Sequence, residues 1–313
     1  MSVPPRVSVA IPTYNRADLV AKAIDSVLDQ DYADREVIVV DNGSTDDTRA
    51  VLDAYGDRIR VLTRGNLGRA GGRNEAILAA RGDLIAFLDS DDEWLPGSLA
   101  RRVQALDQHP DIGMVHGHVA VIDEQGQELG AITEQQRALA RTYHEHGVTY
   151  AGYALRCLCL TSTTVVRRSC FEQLGLYDPA IAVEDLDLYL RLALDSKILF
   201  LDGEPIARYR LHPQQTGNET LARGEIQACH KHLDLLDRRP DIRDARLARR
   251  NFEQRLARCH HVLLEQREAR RHALRAIRLD PALALDPALV RQVLLSFLPA
   301  TIVGRARHNR GGL

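Results

Sequence analysis

The first hundred residues alternate between two hydrophobic patterns. Short, nearly continuous apolar runs rich in β-branched residues occupy residues 7–12, 36–41, 59–63 and 83–89. Such runs are typical of strands buried on both faces. Between them, residues 17–30 carry an apolar face at helical spacing, and a second helical pattern over residues 71–82 ends at Gly82. The alternation predicts right-handed βαβ units and a mainly parallel sheet flanked by helices.

The remainder of the chain is more mixed. Residues 112–123 predict a strand followed by a turn, and residues 131–150 predict a loop with a short helix. Further elements are expected as a strand at 161–168, a helix at 184–195 and extended segments within 197–212. From about residue 219 the pattern is helical throughout, so we predict an all-helical C-terminal region over residues 219–313.

The charge of the chain is unevenly distributed. The net charge is −2, yet residues 220–313 carry 19 Lys and Arg against 10 Asp and Glu, a balance of +9. The rest of the chain carries 22 basic against 33 acidic residues. Such asymmetry indicates two parts with different partners. An apolar content of 45% in 313 residues is ample for one large core or two smaller ones.

Several features of the sequence predict a cytoplasmic protein. The first residues, MSVPPRVSVAIP, lack the basic and apolar regions of a signal peptide. No run of about 18 apolar residues is present, as a membrane-spanning helix would require. The five cysteines are odd in number and scattered, which favours reduced thiols.

The stretch FLDSDDEWLP at residues 87–96 concentrates negative charge directly after an apolar run. Its four carboxylates are Asp89, Asp91, Asp92 and Glu93. Acidic residues at the start of a helix can cap its N-terminus, which accounts for one or two of them. Alternatively, carboxylates at the end of a strand can hold Mg²⁺ or Mn²⁺ and leave coordination positions for substrate phosphates. We interpret the stretch as a metal–diphosphate site.

Polar loops also follow the other predicted strands. IPTYNR (11–16) follows the first strand, and VVDNGSTDDT (39–48) ends the second. Turn formation and helix capping account for part of the second motif, but neither needs Asp41, whose carboxylate can accept hydrogen bonds from a base or a ribose. The Gly-rich RGNLGRAGGRN (64–74) fits neither common phosphate-loop pattern. Arg73 can donate two hydrogen bonds to a diphosphate.

These motifs together resemble a known family. PTYNR, VVDNGSTDDT, GRNEAI and FLDSDD, followed by TSTTVVRRSCFEQLGLYDP, AVEDLDLYLRLA and ARYRLH, closely resemble glycosyltransferase family 2, of the GT-A group. The resemblance covers roughly residues 6–215. It implies a Rossmann-like GT-A domain over 1–218, with a nucleotide-sugar half at about 6–123 and an acceptor half at about 124–218. Residues 219–313 match no element of the family.

The resemblance also implies roles for individual residues. The nucleotide sugar would be bound by Pro12, Thr13, Tyr14, Arg16, Asp41, Arg73, Asp89 and Ser90. A divalent metal ion, Mn²⁺ or Mg²⁺, would be held by Asp89, Asp91 and His212, with Asp91 the more direct ligand and Asp89 nearer the ribose. Glu184 and Asp185 match the acid pair that supplies the catalytic base, usually its second member, so Asp185 is the predicted base.

The implied activity is an inverting transfer of a sugar from a nucleotide-diphosphate sugar to an acceptor hydroxyl. We expect a UDP- or dTDP-sugar donor, a glycan or lipid-linked acceptor, a place in cell-surface polysaccharide or glycan synthesis, and no nucleic-acid partner. A sugar-phosphate nucleotidyltransferase is one alternative, although PTYNR stands where that class has a Gly-rich basic loop. A non-catalytic nucleotide-sugar-binding scaffold is the other, against which the intact acidic motifs and His212 argue.

Three histidine clusters lack a complete set of zinc ligands at suitable spacing. They are His116 with His118, His144-Glu145-His146, and Cys259-His260-His261. We expect structural or surface histidines in each.

The C-terminal stretch 290–310 combines an interrupted apolar face with Arg291, Arg305, Arg307 and Arg310. Basic amphipathic segments can lie on anionic membranes, which predicts peripheral contact with the inner face of the membrane. The alternative is a last helix docked on the domain with a solvated basic end.

Overall fold

The structure, a computed structural model, describes residues 3–144 and 148–297. The chain divides into two compact units. The first unit comprises Met1–Val148, Leu158–Pro179 and Arg191–Gln215, and the second comprises Thr149–Cys157, Ala180–Leu190 and Thr216–Leu313.

Ten strands and twelve α-helices are present in the described residues. The strands are β1 (Val7–Thr13), β2 (Arg35–Asp41), β3 (Arg60–Thr63), β4 (Leu84–Phe87), β5 (Glu93–Trp94), β6 (Ile112–Gly117), β7 (Val119–Ile122), β8 (Val165–Arg167), β9 (Lys197–Leu201) and β10 (Ala207–Arg210). The helices are α1 (Ala17–Leu28), α2 (Thr48–Asp53), α3 (Gly68–Ala79), α4 (Ser98–Gln108), α5 (Gly130–His144), α6 (Tyr150–Leu155), α7 (Arg168–Leu174), α8 (Glu184–Asp195), α9 (Asn218–Arg238), α10 (Ala245–Val262), α11 (Gln266–Leu279) and α12 (Pro287–Leu295).

The first unit is built on a seven-stranded sheet in the order β3-β2-β1-β4-β8-β6-β9. The pairs formed by β1 with β2, β1 with β4, β2 with β3 and β6 with β9 are parallel, whereas β8 is antiparallel to both of its neighbours. All seven residues of β1 are buried, which explains their continuous apolar pattern. The apolar face of α1 is buried through Val20, Ala23, Ile24 and Val27. A second, three-stranded sheet has the order β5-β10-β7.

The second unit is helical among its described residues. Helix α10 packs against α6 through hydrogen bonds as well as apolar contacts. Asn251 Nδ2 donates to the carbonyl of Ala151 at 2.7 Å, and the Arg255 guanidinium donates to the carbonyls of Ala154 and Tyr153 at 3.0 and 2.8 Å. Buried apolar residues shared by α10, α11 and α12 include Ala257, Ala273 and Leu289.

Three predicted elements differ from the structure. In the strand expected at 161–168, Thr161–Thr163 form a 3₁₀ turn and only Val165–Arg167 are extended, as β8. Where a loop with a short helix was expected, α5 is a 15-residue helix. It is held by contacts that periodicity does not reveal, because Thr133 Oγ1 accepts a hydrogen bond from Val121 N and Arg137 donates to the carbonyl of Gly203. The single strand expected at 112–123 is divided into β6 and β7, which belong to different sheets.

The predicted boundary near residue 219 also differs in detail. The long segment of the second unit begins at Thr216, and this unit includes 149–157 and 180–190, which the prediction assigned to the first domain. The functional division into nucleotide-sugar and acceptor halves stays a prediction. None of the helices formed by the described residues has the length and apolar character needed to cross a membrane.

Candidate functional site

The loops that follow β1 and β2 are joined by hydrogen bonds. The register of the two strands pairs Thr13 with Asp41, so both residues lie at the same edge of the sheet. Asn15 adopts a left-handed conformation with φ 50°, its N–H donates to Ser44 Oγ at 2.9 Å, and its Oδ1 accepts from Thr45 N at 2.8 Å. Asp41 Oδ1 accepts from Ser44 N at 2.9 Å, so the turn does use this carboxylate, contrary to the expectation from the sequence. The structure thus holds both predicted loops in one fixed arrangement.

Two buried polar atoms at this edge have no hydrogen-bond partner among the described residues. They are Thr13 Oγ1 and Asn42 Oδ1, on side chains only 2% and 5% exposed. An unsatisfied buried polar group costs about 1–3 kcal/mol. Asn42 is closely packed against α3: a Cβ added at Gly72 would lie only 2.5 Å from Asn42 Nδ2. Unsatisfied buried polar atoms of this kind commonly mark places that a water molecule or an ion completes.

The remaining predicted nucleotide-binding residues also lie in the first unit. Pro12 is buried within β1, and Ser90 is buried just beyond β4. Tyr14 is 44% exposed, so its ring is accessible to a ligand. Because β4 pairs with β1 in parallel, the segment that follows β4 emerges at the same edge as the loop that follows β1.

The carboxylates of Asp89 and Asp91 each have a cationic neighbour from elsewhere in the chain. Asp89 Oδ1 lies 2.6 Å from Nη2 of the buried Arg73. Asp91 Oδ2 lies 3.0 Å from His212 Nε2 and 3.8 Å from Arg16 Nε. The structure therefore brings five predicted site residues together as two adjoining groups, one formed by Asp89 and Arg73 and the other by Asp91, His212 and Arg16.

The next carboxylate along the chain, Asp92, is buried and hydrogen-bonded within the protein. Its side chain is 2% exposed, accepts from Ser162 Oγ at 2.5 Å and accepts from Arg210 N at 3.0 Å. Burial, together with the negative charges of Asp91 and Asp89, raises the pKa of Asp92 well above its ordinary value. Asp92 thus ties the acidic loop to β10 instead of facing a ligand.

Arg210 is a residue of this site that the sequence analysis missed. Its guanidinium is only 1% exposed and pairs with Glu93. It also donates to the main-chain carbonyls of Asp91, Asp123 and Glu124, each at 3.1 Å. These bonds fix the main chain of the predicted metal ligand. The only available signal was the position of Arg210 within ARYRLH, two residues before His212.

The predicted metal ligands Asp91 and His212 suit a divalent cation that is bound together with a substrate. No group of three or more His, Cys, Asp or Glu side chains in the described residues has metal-binding geometry. Asp91 and His212 nevertheless form a close oxygen–nitrogen pair. Mg²⁺ and similar ions are commonly held by one or two protein groups, with phosphate oxygens and water completing the coordination. Asp91 and His212 fit that arrangement, whereas Asp89 is paired with Arg73, and its role as a ligand stays a prediction.

The predicted acid pair lies in the second unit, at the start of α8. Glu184 is only 3% exposed, whereas Asp185 is half-buried and accepts from Leu186 N through Oδ1 at 2.8 Å. The greater exposure of Asp185 leaves it more accessible to an acceptor hydroxyl than Glu184. The start of a helix also stabilises the ionised carboxylate that a base requires.

Histidines of two of the three clusters set aside as structural have partners within the protein. His118 Nε2 lies 2.8 Å from Asp202 Oδ1, and His260 Nδ1 lies 2.6 Å from Glu265 Oε2. Burial lowers the pKa of His118. In the third cluster, Glu145 and His146 and the side chain of His144 lie outside the described part of the chain.

The amino-acid sequence is similar to those of known proteins. Residues 8–175 match the family model described as glycosyl transferase family 2. An uncharacterized glycosyltransferase of Nostoc sp. is 33% identical over 214 residues, which cover 66% of this chain and 65% of that protein. The Escherichia coli UDP-Glc:alpha-D-GlcNAc-diphosphoundecaprenol beta-1,3-glucosyltransferase WfgD is 31% identical over 233 residues, covering 74% and 85%.

A similar fold occurs among solved structures. A mannosyltransferase from Pyrobaculum calidifontis, solved in complex with GDP-Man and Mn²⁺, superposes with a TM-score of 0.61 at 19% identity, covering 100% of this chain and 89% of that one. At this level of identity the likeness shows the fold alone.

Proposed function

Because this chain belongs to glycosyltransferase family 2, we propose that it transfers a sugar from a nucleotide-diphosphate sugar to an acceptor hydroxyl with inversion at the anomeric carbon. The observation that carries the proposal is that Arg16, just after β1, lies 3.8 Å from Asp91, which follows β4, and that Asp91 lies 3.0 Å from His212, which follows β10. Ligands of open α/β sheets bind beyond the carboxyl ends of the strands.

The residues of the first unit would hold the donor. Thr13 Oγ1 and Asn42 Oδ1 supply buried acceptor positions for a base or ribose, and Asp41 lies beside them. Arg73 is placed by Asp89 and can interact with a diphosphate oxygen through its planar guanidinium. We propose that the nucleotide is uridine or deoxythymidine diphosphate.

Asp91 and His212 would hold a divalent cation, Mn²⁺ or Mg²⁺, together with the donor diphosphate. When bound, the cation neutralises the negative charge that develops on the leaving diphosphate. Arg16, whose Nε lies 3.8 Å from Asp91, orients that carboxylate and adds positive charge at the same position. Arg210 keeps the main chain of Asp91 in place, so the ligand is pre-organised.

Asp185 is the proposed base. It would accept the proton of the acceptor hydroxyl as the oxygen attacks the anomeric carbon and the bond to the diphosphate breaks. One displacement with attack opposite the leaving group inverts the configuration, so no covalent sugar–enzyme intermediate is needed.

The acceptor is proposed to be a lipid-linked glycan used in cell-surface polysaccharide synthesis. The E. coli relative is named for an acceptor carrying a diphosphoundecaprenol group. Another relative, from Bacillus subtilis, is named as a putative teichuronic acid biosynthesis glycosyltransferase and is 42% identical over 106 residues, 33% of this chain. A lipid-linked acceptor is consistent with a cytoplasmic enzyme that works at the membrane surface.

Donor binding provides a first test. Thermal shift measurements with a panel of nucleotide sugars, with and without Mn²⁺, are expected to show stabilisation by a UDP- or dTDP-sugar that depends on the cation. A ligand present at 100 times its Kd stabilises the bound state by about 2.7 kcal/mol. Stabilisation by nucleoside triphosphates and sugar phosphates, but not by nucleotide sugars, would contradict the proposal.

Peripheral membrane contact through the C-terminal helices is also proposed. Leu289 of α12 is buried against its neighbours, but Leu294 and Phe297 are 63% and 67% exposed beside the exposed Arg291. Residues 298–310 of the predicted membrane segment lie outside the described part of the chain. Basic residues near an anionic surface contribute about 1 kcal/mol each.

We therefore expect the chain to co-sediment better with anionic than with neutral liposomes. Replacing Leu294 and Phe297 with Asp should abolish the difference, whereas Leu274→Asp, at the partly exposed α11 residue, serves as the control. Equal sedimentation with both kinds of liposome would contradict the membrane proposal and leave the catalytic proposal unaffected.

A further inference from the structure

Helix α9 lies against the main chain that precedes the acid pair. A Cβ at Gly224 would lie 2.7 Å from Val183 N and 3.1 Å from the carbonyl carbon of Ala182. It would also lie 2.4 Å from Val183 Cγ2. The Val183 side chain could rotate away from the added Cβ, but the Val183 main-chain nitrogen cannot. Any larger residue at 224 would therefore displace the segment that leads directly into Glu184.

One turn further along α9, a hydrogen bond holds the same segment. Gln227 Oε1 accepts from Ala182 N at 3.2 Å. The first N–H groups of a helix and those just before it have no partner within the helix, so side chains from elsewhere commonly satisfy them. The bond from Gln227 fixes the direction from which the chain enters α8.

A third contact lies just beyond the acid pair. The carboxylate of Asp187 is fully buried, and its Oδ1 lies 2.9 Å from Lys231 Nζ and 3.3 Å from His232 Nε2. His232 is itself buried, and its Nδ1 lies 3.2 Å from Tyr150 Oη. A buried charge needs such partners, because removing one leaves an uncompensated charge and is strongly destabilising. Asp187 is therefore fixed to α9.

These contacts come from one face of α9. Gly224, Gln227 and Lys231 are separated by three and four residues, which places them in a row along the helix. Their partners lie on both sides of the acid pair, at 182–183 and at Asp187. The family model ends at residue 175, and the sequence predicted no catalytic role for the region after 219.

We infer that α9 is the element that sets the position of Glu184 and Asp185, with Gly224, Gln227 and Lys231 as positioning residues. The inference rests on the proposed function, since it takes Asp185 as the base. It assigns α9 of the C-terminal helical region an indirect part in sugar transfer, because α9 places the base and these three residues act through it.

Gly224→Ala is the first test. Displacement of a reacting group by about 1 Å can cost about 10²-fold in rate, so kcat should fall by about 10- to 100-fold. The donor KM and Mn²⁺-dependent nucleotide binding should stay unchanged, because the proposed donor residues belong to the other unit. The matched control is Gly217→Ala at the start of α9, where an added Cβ meets nothing within 4 Å and φ is −66°.

Gln227→Met is the second test and decides the inference if Gly224→Ala does not fold. Gln227 is exposed, so the methionine keeps the helix surface but loses the hydrogen bond from Ala182 N. We expect kcat to fall about 10-fold at unchanged donor KM, whereas Arg223→Met, at an exposed residue on the same helix, should match the wild type. Wild-type kcat in both test variants, or equal losses of nucleotide binding and transfer, would overturn the inference. Failure of the proposed function would appear separately, as a wild-type protein that transfers sugar from no donor.

Discussion

Replacing Asp91 with Asn is expected to reduce sugar transfer by at least about 10³-fold while the chain stays folded. The Asp91 side chain is 23% exposed and has His212 and Arg16 as neighbours, so the apolar core does not depend on it. Asparagine keeps the shape but removes the negative charge that a divalent cation requires. A loss of about 4 kcal/mol in transition-state stabilisation corresponds to about 10³ in rate.

The adjacent Asp92 supplies the contrast. Asp92→Ala removes both buried carboxylate oxygens, which accept hydrogen bonds from Ser162 Oγ and the Arg210 N–H, so it should lower the thermal midpoint. Asp91→Asn should instead lose Mn²⁺-dependent donor binding at an unchanged midpoint. If Asp91→Asn unfolds in the absence of metal while its folded fraction still binds donor with Mn²⁺, the acidic cluster is structural and the cation site lies elsewhere.

Asp185→Asn is expected to reduce transfer by at least about 10²-fold, the low end for a positioned base. Mn²⁺-dependent donor binding should be largely kept, because the predicted donor residues are in the other unit. Asparagine is close in size to aspartate but cannot accept the acceptor's proton at neutral pH. Glu184→Gln is the matched control, since that side chain is 3% exposed and less accessible to a substrate. Greater damage from Glu184→Gln would reverse the assignment, and full transfer by both variants would show that the base lies elsewhere.

The elements predicted best from the sequence are those with strong local patterns. The predicted strands at 7–12 and 36–41 and the helix at 184–195 correspond to β1, β2 and α8. The mainly parallel sheet, the GT-A fold, the helical character of the C-terminal region as far as residue 297 and membership of a glycosyltransferase family are confirmed. In these elements the hydrophobic periodicity reflects the burial of the segment itself. It can therefore be recognised without knowing which other segments the element contacts.

The parts that could not be predicted depend on contacts between distant residues. Helix α5 is anchored through Val121 and Gly203, and nothing in its own pattern identifies these partners. Residues 180–190 belong to the second unit, within which Val183 packs closely against Gly224, more than thirty residues away in the sequence. In the site, the motif predicted Asp91, but the support from Arg210 comes from more than a hundred residues further along the chain.

The central claim, metal-dependent transfer from a nucleotide sugar, is tested most directly by identifying the phosphate product. The chain is incubated with the donor that stabilises it, with and without Mn²⁺, and with a lipid-linked glycan acceptor. We expect release of nucleoside diphosphate that requires both the cation and the acceptor, together with a glycoside whose anomeric configuration is opposite to that of the donor. Release of inorganic pyrophosphate in a parallel incubation with nucleoside triphosphate and sugar phosphate would identify a nucleotidyltransferase, and donor binding without any product would identify a non-catalytic scaffold; either result would contradict the account.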